Sequence, residues 1–109
     1  DVLPDDQKLV LDIAKVIRVG FLQQNAFHKD DTCVPLIKQY KMMDVILYLY
    51  QKSKALVHQG MPMSVLHQDS IWDKVSSIKY DVPNDKLEML DQYKKDIDTF
   101  YEKVLEKNA

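Results

Sequence analysis

The chain has 109 residues, of which 46% are hydrophobic and 29% are charged, a balance typical of one globular domain. Its formal net charge is −2, and Arg18 is the only arginine beside fourteen lysines, so the composition argues against nucleic-acid binding. The two glycines leave no glycine-rich phosphate loop, and the one cysteine leaves no internal disulfide. The sequence contains no run of about 18 apolar residues, so direct insertion into a membrane is not predicted.

The first predicted helix follows Pro4 and runs from about Asp5 to Gln23. Asp5 and Asp6 place negative charge at its N-terminus, where the helix dipole favours it. Apolar residues recur every four positions along one face, namely Leu9, Ile13, Ile17 and Phe21. This periodicity is typical of an amphipathic helix.

A second helix is predicted from Pro35 onward, with Asp31 or Thr32 as its cap. Its apolar stripe is predicted to consist of Leu36, Tyr40, Met43, Leu47 and Tyr50, with Lys38 on another face. Residues 45–50 are apolar on every side, which indicates the central helix of the domain.

Gly60 is expected to stop this helix, and Pro62 to begin a shorter helical region that reaches about Lys79. Its inner face is predicted to be Ile71, Trp72, Val75 and Ile78. The last helix is expected to be capped by Asn84 or Asp85, with Glu88 in its first turn. Its inner face is predicted to be Leu90, Tyr93, Ile97, Phe100 and Val104. The sequence therefore predicts an all-α bundle of four to five helices, with residues 1–109 as a single domain.

None of the polar clusters predicts catalysis or metal binding by this chain. His28, His58 and His67 lack the spacing of a helical metal site, and we interpret them as solvated or hydrogen-bonded structural residues. Asp30 precedes Asp31 directly, which favours capping over an acid–base pair. Cys33 shares a loop with His28, but no third orienting residue accompanies them.

Two segments leave alternatives open. Residues 23–27 combine three amides with Ala26 and Phe27, which suits either ordinary loop packing or a face for a planar ligand. Asp1, Asp5 and Asp6 form either a solvated helix start or an acidic contact site.

Residues 21–28, which have the sequence FLQQNAFH, resemble part of a known family. This string is similar to the C-terminal helical domain of the catalytic A (alpha) subunit of V/A-type rotary ATP synthases and ATPases, with the archaeal type favoured. Further matching groups are Asp31-Thr32, Pro35-Leu36, Lys38-Gln39-Tyr40, Gly60-Met61-Pro62, Ile78-Lys79-Tyr80 and Pro83-Asn84. The likeness covers most of the chain, and the last helix matches in pattern.

The resemblance implies that a P-loop domain, which binds ATP or ADP with Mg²⁺, lies upstream in a longer subunit. Asn25, Ala26 and Phe27 would contact the adenine of the bound nucleotide. The chain on its own would not hydrolyse ATP, and would bind no nucleotide tightly. The complex would be peripheral on the cytoplasmic face of the cell membrane and would carry H⁺ or Na⁺ through a separate sector.

The resemblance also implies two kinds of protein partner. The B subunits would alternate with this subunit in a ring, and a central stalk would turn inside that ring. Residues 1–9 are similar to the acidic lever segment of the related F-type β subunit, so Asp1, Asp5 and Asp6 would contact the stalk. The alternative is a free-standing helical module that binds another protein and has no nucleotide role.

Overall fold

The computed structural model describes residues 4–19 and 34–107, and no strand occurs in these two ranges. The helices found there are α1 (Asp5–Ile17), α2 (Leu36–His58), α3 (Met63–Leu66), α4 (Ile71–Ser76), α5 (Ile78–Asp81) and α6 (Met89–Lys107). The predicted all-α class is confirmed, with three long helices and three short ones. Helix α2 packs between α1 and α6, which confirms its predicted central position.

Helix α1 begins where predicted. The carbonyl of Pro4 accepts hydrogen bonds from the backbone N–H groups of Gln7 and Lys8, both at 3.0 Å. Its buried face consists of Leu9, Ile13 and Val16. A π-helical turn follows at residues 18–19, and the predicted continuation to Gln23 lies outside the described residues.

The predicted inner stripe of α2 is wrong. Leu36, Tyr40 and Leu47 are 80%, 69% and 46% exposed. The face that is buried consists of Lys38, Met42, Val45, Ile46, Leu49, Ser53 and Leu56. Because α2 carries apolar residues on all sides, its sequence does not reveal which face its neighbours α1 and α6 cover.

The end of α2 confirms the stop predicted at Gly60. This glycine has a φ of +94°, a left-handed conformation that glycine adopts without a steric penalty. Its N–H donates to the Val57 carbonyl, and the N–H of Met61 donates to the Leu56 carbonyl, both at 3.0 Å. This pair of bonds is a Schellman motif, which satisfies carbonyls at the helix end.

The single helical region predicted between Pro62 and Lys79 is divided into α3, α4 and α5 by polar side chains. Asp69 Oδ1 accepts the N–H of Ile71 at 2.9 Å and so starts α4 separately. The hydroxyls of Ser76 and Ser77 donate to carbonyls four residues earlier, at 2.8 and 3.2 Å, where α4 ends. Such back-bonding competes with the helical pattern and bends it. The predicted inner face is nevertheless confirmed, since Ile71, Trp72, Val75 and Ile78 are all buried.

Helix α6 begins later than predicted. Turns occupy the stretch after Pro83, with the Lys86 N–H donating to the Pro83 carbonyl at 3.1 Å, and the helix starts at Met89. A start at Asn84 or Asp85 is therefore wrong. The predicted inner face is confirmed, because Leu90, Tyr93, Ile97, Phe100 and Val104 are all buried.

We expect the buried Tyr93 to make the fold sensitive to alkaline pH. Burial, followed by the charges of Asp81 and Asp96, raises the pKa of Tyr93 from its ordinary value of 10.0 to about 12. Because the folded pKa lies above the unfolded one, this stabilisation is complete below pH 10 and is lost as the pH rises towards 12. The loss should be on the order of 2 kcal/mol, and denaturant unfolding across this pH range measures it.

Tyr93→Phe should remove most of this pH dependence, since phenylalanine does not ionise. Tyr40→Phe is the matched control, because Tyr40 is a tyrosine that is 69% exposed. A Tyr93→Phe chain that loses stability as steeply as wild type above pH 10 would contradict this expectation.

Candidate functional site

The residues predicted to contact nucleotide, Asn25, Ala26 and Phe27, lie outside the described residues. The same holds for Asp1, His28 and Cys33, and for the predicted caps at Asp31 and Thr32. What the structure describes is the two helices that flank this segment, together with Asp5 and Asp6. The site is therefore built from the C-terminal end of α1, the first turns of α2, and the acidic start of α1.

Asp5 is used within the fold. Its Oδ2 accepts the backbone N–H of Met63 at 3.2 Å, and its Oδ1 lies 3.6 Å from Lys8 Nζ. Met63 is the first residue of α3, whose N–H groups have no carbonyl partners within that helix. The Asp5 carboxylate therefore fastens the start of α1 to the start of α3.

Asp6 points elsewhere and is exposed. Its Oδ1 accepts the N–H of Gln7 at 2.9 Å, a contact between neighbours in sequence that holds no other element. The prediction treated Asp5 and Asp6 alike, but the structure separates them. Of the two, Asp6 is the carboxylate that a partner can reach without disturbing a contact between helices.

The second described range begins with Val34 and Pro35. Gln39 Nε2 donates to the Val34 carbonyl at 3.1 Å, and the Gln39 N–H donates to the Pro35 carbonyl at 3.0 Å. Leu36, Ile37 and Tyr40 project from this first part of α2 and are more than half exposed, at 80%, 53% and 69%. The segment before α2 is thus joined to a helix start whose outer face is apolar.

Lys38 lies on the buried side of the same helix start and holds it to the rest of the domain. It is 0% exposed. Its Nζ donates to the carbonyls of Lys79 and Val82 at 3.0 and 2.6 Å, and to Asn84 Oδ1 at 2.8 Å. Three oxygen acceptors match the three N–H donors of a charged ammonium group. Charge-assisted hydrogen bonds are about twice as strong as neutral ones, so this contact ties the start of α2 firmly to residues 79–84.

The sequence-based prediction missed the burial of Lys38, because it placed this lysine on a face other than the apolar stripe. One signal could have found it. Lys38, Met42, Val45, Leu49, Ser53 and Leu56 follow one another at spacings of three and four residues. A polar residue on that period is a candidate for burial with hydrogen-bond partners.

His67, which directly follows α3, makes a further polar contact with α1. Its Nε2 lies 2.7 Å from Asp12 Oδ2 on α1, and its ring centroid is 4.8 Å from that of Trp72. The expectation of a hydrogen-bonded structural histidine is confirmed for His67, and His58 is exposed as a solvated residue would be. Trp72 is 6% exposed, which confirms its predicted place in the core.

Neither a metal centre nor a membrane segment emerges from the described parts of the chain. In residues 4–19 and 34–107, no three His, Cys, Asp or Glu side chains are grouped so that they could hold a metal ion. No helix in those ranges has both the length and the apolar character needed to cross a bilayer.

Comparison with known proteins places this helical domain in a family. The sequence model of the "C-terminal domain of V and A type ATP synthase" matches residues 1–67, which is more than half of the chain. The chain belongs to this family. The match includes both the acidic start of α1 and residues 21–28, so it favours the expected ATP synthase domain over an unrelated interaction module.

Individual relatives extend the likeness beyond the family match. The chain is 41% identical over 106 residues to the V-type ATP synthase alpha chain 2 of Clostridium tetani. It is 37% identical to the V-type ATP synthase alpha chain of Halothermothrix orenii, and 36% identical to one subunit of the A-type ATP synthase of Methanopyrus kandleri. Each alignment covers 97% of this chain and 18% of the relative. The chain thus spans about a fifth of the length of these relatives, and the alignments include most of α6.

We expect Lys38→Met to destabilise the fold strongly. Methionine retains most of the apolar stem but leaves the three oxygens around Nζ without this donor. A buried polar group that loses its partner costs about 1–3 kcal/mol, so the free energy of unfolding should fall by roughly 3 kcal/mol or more. Unfolding by denaturant measures it.

Lys52→Met on the same helix is the matched control. Lys52 Nζ lies 3.9 Å from Asp98 in an ion pair that is 33% and 48% exposed. The Lys52 ammonium also lies over the rings of Tyr48 and Tyr101, and such exposed contacts contribute about 0–1 kcal/mol each. Equal losses in the two variants would show that the Lys38 contacts contribute no more than an ordinary surface pair.

Proposed function

We propose that this chain is the C-terminal domain of the catalytic subunit of an ion-translocating rotary ATP synthase/ATPase, with H⁺ as the favoured ion. In this proposal the domain closes over the adenine of bound ATP or ADP through Asn25, Ala26 and Phe27. It passes nucleotide-driven motion to the central stalk through the acidic start of α1. Family membership and the relatives' names support the parent complex.

The remaining machinery is proposed to lie elsewhere in the parent complex. The phosphates and Mg²⁺ would be held by an upstream P-loop domain of the same subunit, whose copies would alternate with B subunits in a ring surrounding the stalk. The complex would sit on the cytoplasmic face of the cell membrane without insertion of this domain. This chain alone is not expected to hydrolyse ATP, since it has no glycine-rich phosphate loop.

The observation that supports the coupling role is that α1 is one continuous helix, which lies in sequence between the two proposed contacts. Asp6 is exposed at its start, and the segment with Asn25, Ala26 and Phe27 follows its C-terminal end in sequence. The 13 residues of α1 span about 20 Å at 1.5 Å per residue. Its buried face packs on α2, so displacement of one end would be carried along the helix to the other.

The first test is Phe27→Ala in the assembled complex. An aromatic ring stacked on a planar base contributes roughly 0.5–1.5 kcal/mol beyond area burial, so KM for ATP should rise roughly two- to twelvefold. The turnover number should change little, because adenine binding is the same in ground and transition states. Steady-state ATP hydrolysis measures both.

Phe27→Tyr is the control for this test, since it keeps the ring and should keep KM near the wild-type value. An unchanged KM in Phe27→Ala would overturn the proposed adenine contact.

The second test compares the two acids of α1. Asp6→Lys should reduce the number of ions pumped per ATP hydrolysed, because it reverses the exposed charge proposed to meet the stalk. It should lower the free energy of unfolding by only about 0.3–1 kcal/mol, because it places a positive charge at a helix N-terminus. Asp5→Asn should lower the free energy of unfolding by about 1 kcal/mol, because it weakens the contact with Met63.

Glu102→Lys is the matched control for charge reversal, because Glu102 is an exposed acid on α6. If Asp6→Lys and Glu102→Lys leave the pumping ratio equally intact, the proposed stalk contact is wrong.

A further inference from the structure

The outer face of α2 is apolar along its first three turns. The exposed side chains there are Leu36, Ile37, Tyr40 and Leu47, at 80%, 53%, 69% and 46%. At 3.6 residues per turn, Leu36, Tyr40 and Leu47 lie within about 40° of one another around the helix axis, so they form one stripe, which Ile37 borders. Single exposed apolar residues are common on protein surfaces, but a contiguous apolar patch usually marks an interaction site.

This apolar stripe ends where the same face of the helix becomes polar. Gln51, Lys54 and His58 continue that face of α2 and are exposed. Asp44 lies beside the stripe, but its carboxylate is 2.6 Å from Lys94 Nζ, so its charge is balanced within the fold. A partner that fits this surface is therefore apolar and covers only the first part of α2.

A cleft beside the stripe gives the surface a shape as well as a chemistry. The cleft measures about 240 Å³, lies between α2 and α6, and is lined in part by Tyr40, Val45 and Leu90. Val45 and Leu90 are core residues, each 2% exposed. The surface thus combines a ridge of apolar side chains with a hollow that an apolar side chain of a partner can enter.

We propose that the apolar stripe of α2 is the docking surface for the upstream part of the same subunit. The matching family is a C-terminal domain, and this chain spans 18% of the length of its relatives. About four fifths of each relative therefore lies outside the aligned residues and is available to cover the stripe. This inference rests on the proposed function, because it places the chain in a longer catalytic subunit.

The size of the stripe favours a partner in the same polypeptide. It is about 17 Å long, at 1.5 Å per residue, and about 10 Å wide. A stable complex of separate chains buries about 800 Å² on each partner, so this stripe is too small to hold a second copy by itself. A covalently joined partner needs less area, because the linkage gives it a high effective concentration.

The chemistry of the stripe favours a stationary partner. The contacts of a turning stalk must break as it moves, and each apolar area that is exposed again costs free energy in proportion to its size. An apolar stripe therefore suits a part of the subunit that stays in place, whereas the exposed Asp6 suits a contact that is made and broken.

The experiment is site-specific photo-cross-linking in the assembled complex. The cross-linking residue p-benzoylphenylalanine is placed at Tyr40, where it replaces one aromatic ring by another. The control is the same residue at Lys54, which lies on the same face about 21 Å further along α2. A link within one polypeptide leaves its mass unchanged on a denaturing gel, whereas a link to another chain adds that chain's mass. Mass spectrometry then identifies the linked peptides.

We expect links from Tyr40 to peptides upstream of Asp1 in the same polypeptide, and few from Lys54. Adding Leu36→Asp should cut the yield from Tyr40 roughly tenfold, because it puts an uncompensated charge into an apolar contact. The fold should tolerate this change, since Leu36 is 80% exposed and is the first residue of α2, where the helix dipole favours a negative charge.

A link to a B subunit, to the stalk, to a second copy of the subunit or to another residue within 1–109 would overturn the inference, because each identifies a different occupant. Equal yields from Tyr40 and Lys54, no link from either, or a yield unaffected by Leu36→Asp would overturn it as well. The adenine and stalk contacts are tested separately through Phe27 and Asp6, so their failure leaves this result unaffected. If the parent polypeptide has no upstream part, the proposed function fails and the inference fails with it.

Discussion

The placement of α2 depends on one buried ammonium group. Lys38 Nζ donates to three oxygens within residues 79–84, far along the chain from the helix that carries it. A buried charge is stable only when its donors are satisfied, so the helix start and the connection before α6 must keep their relative positions. Apolar packing holds the rest of α2 between α1 and α6, and this packing tolerates small shifts more readily than three directed bonds do. The polar contact therefore sets the geometry at the start of α2.

In helix α1, some polar side chains make contacts within the fold and others are exposed. Asp5 binds the start of α3 and His67 binds Asp12, so α1 is attached to the short helices at two points along its length. Asp6 is exposed, whereas the neighbouring Asp5 carboxylate makes a contact within the fold. Because α1 is held along its length, a force applied near Asp6 would move the bundle with it. An acidic start that was only loosely attached would yield locally instead.

The sequence predicted the fold well where polar and apolar residues contrast. Helix α6 has acids and lysines between its apolar residues, and all five predicted inner positions are buried. Helix α2 lacks this contrast, so the predicted stripe that includes Leu36 and Tyr40 was wrong, and the buried Lys38 was missed. The breaks around α4 depend on whether Asp69, Ser76 and Ser77 bond to the backbone, a choice that periodicity does not record. Where polar and apolar residues contrast, the burial pattern thus follows from periodicity, whereas helix ends and buried polar contacts follow from individual hydrogen bonds.

Periodicity predicted less about the candidate site than about the fold. Asn25, Ala26 and Phe27 belong to no repeating pattern, and composition left ordinary loop packing open as an alternative. The likeness of residues 21–28 to a known family identified them, and the family match over residues 1–67 includes them. That likeness carries no information on what holds the segment in place. The structure describes only the helix that follows this segment in sequence, where Lys38 and Gln39 bond the first turn of α2 to residues 79–84 and to Val34. Family likeness therefore suggests which residues to test for nucleotide contact, whereas hydrogen-bond geometry shows how the helix that follows them in sequence is held in the bundle.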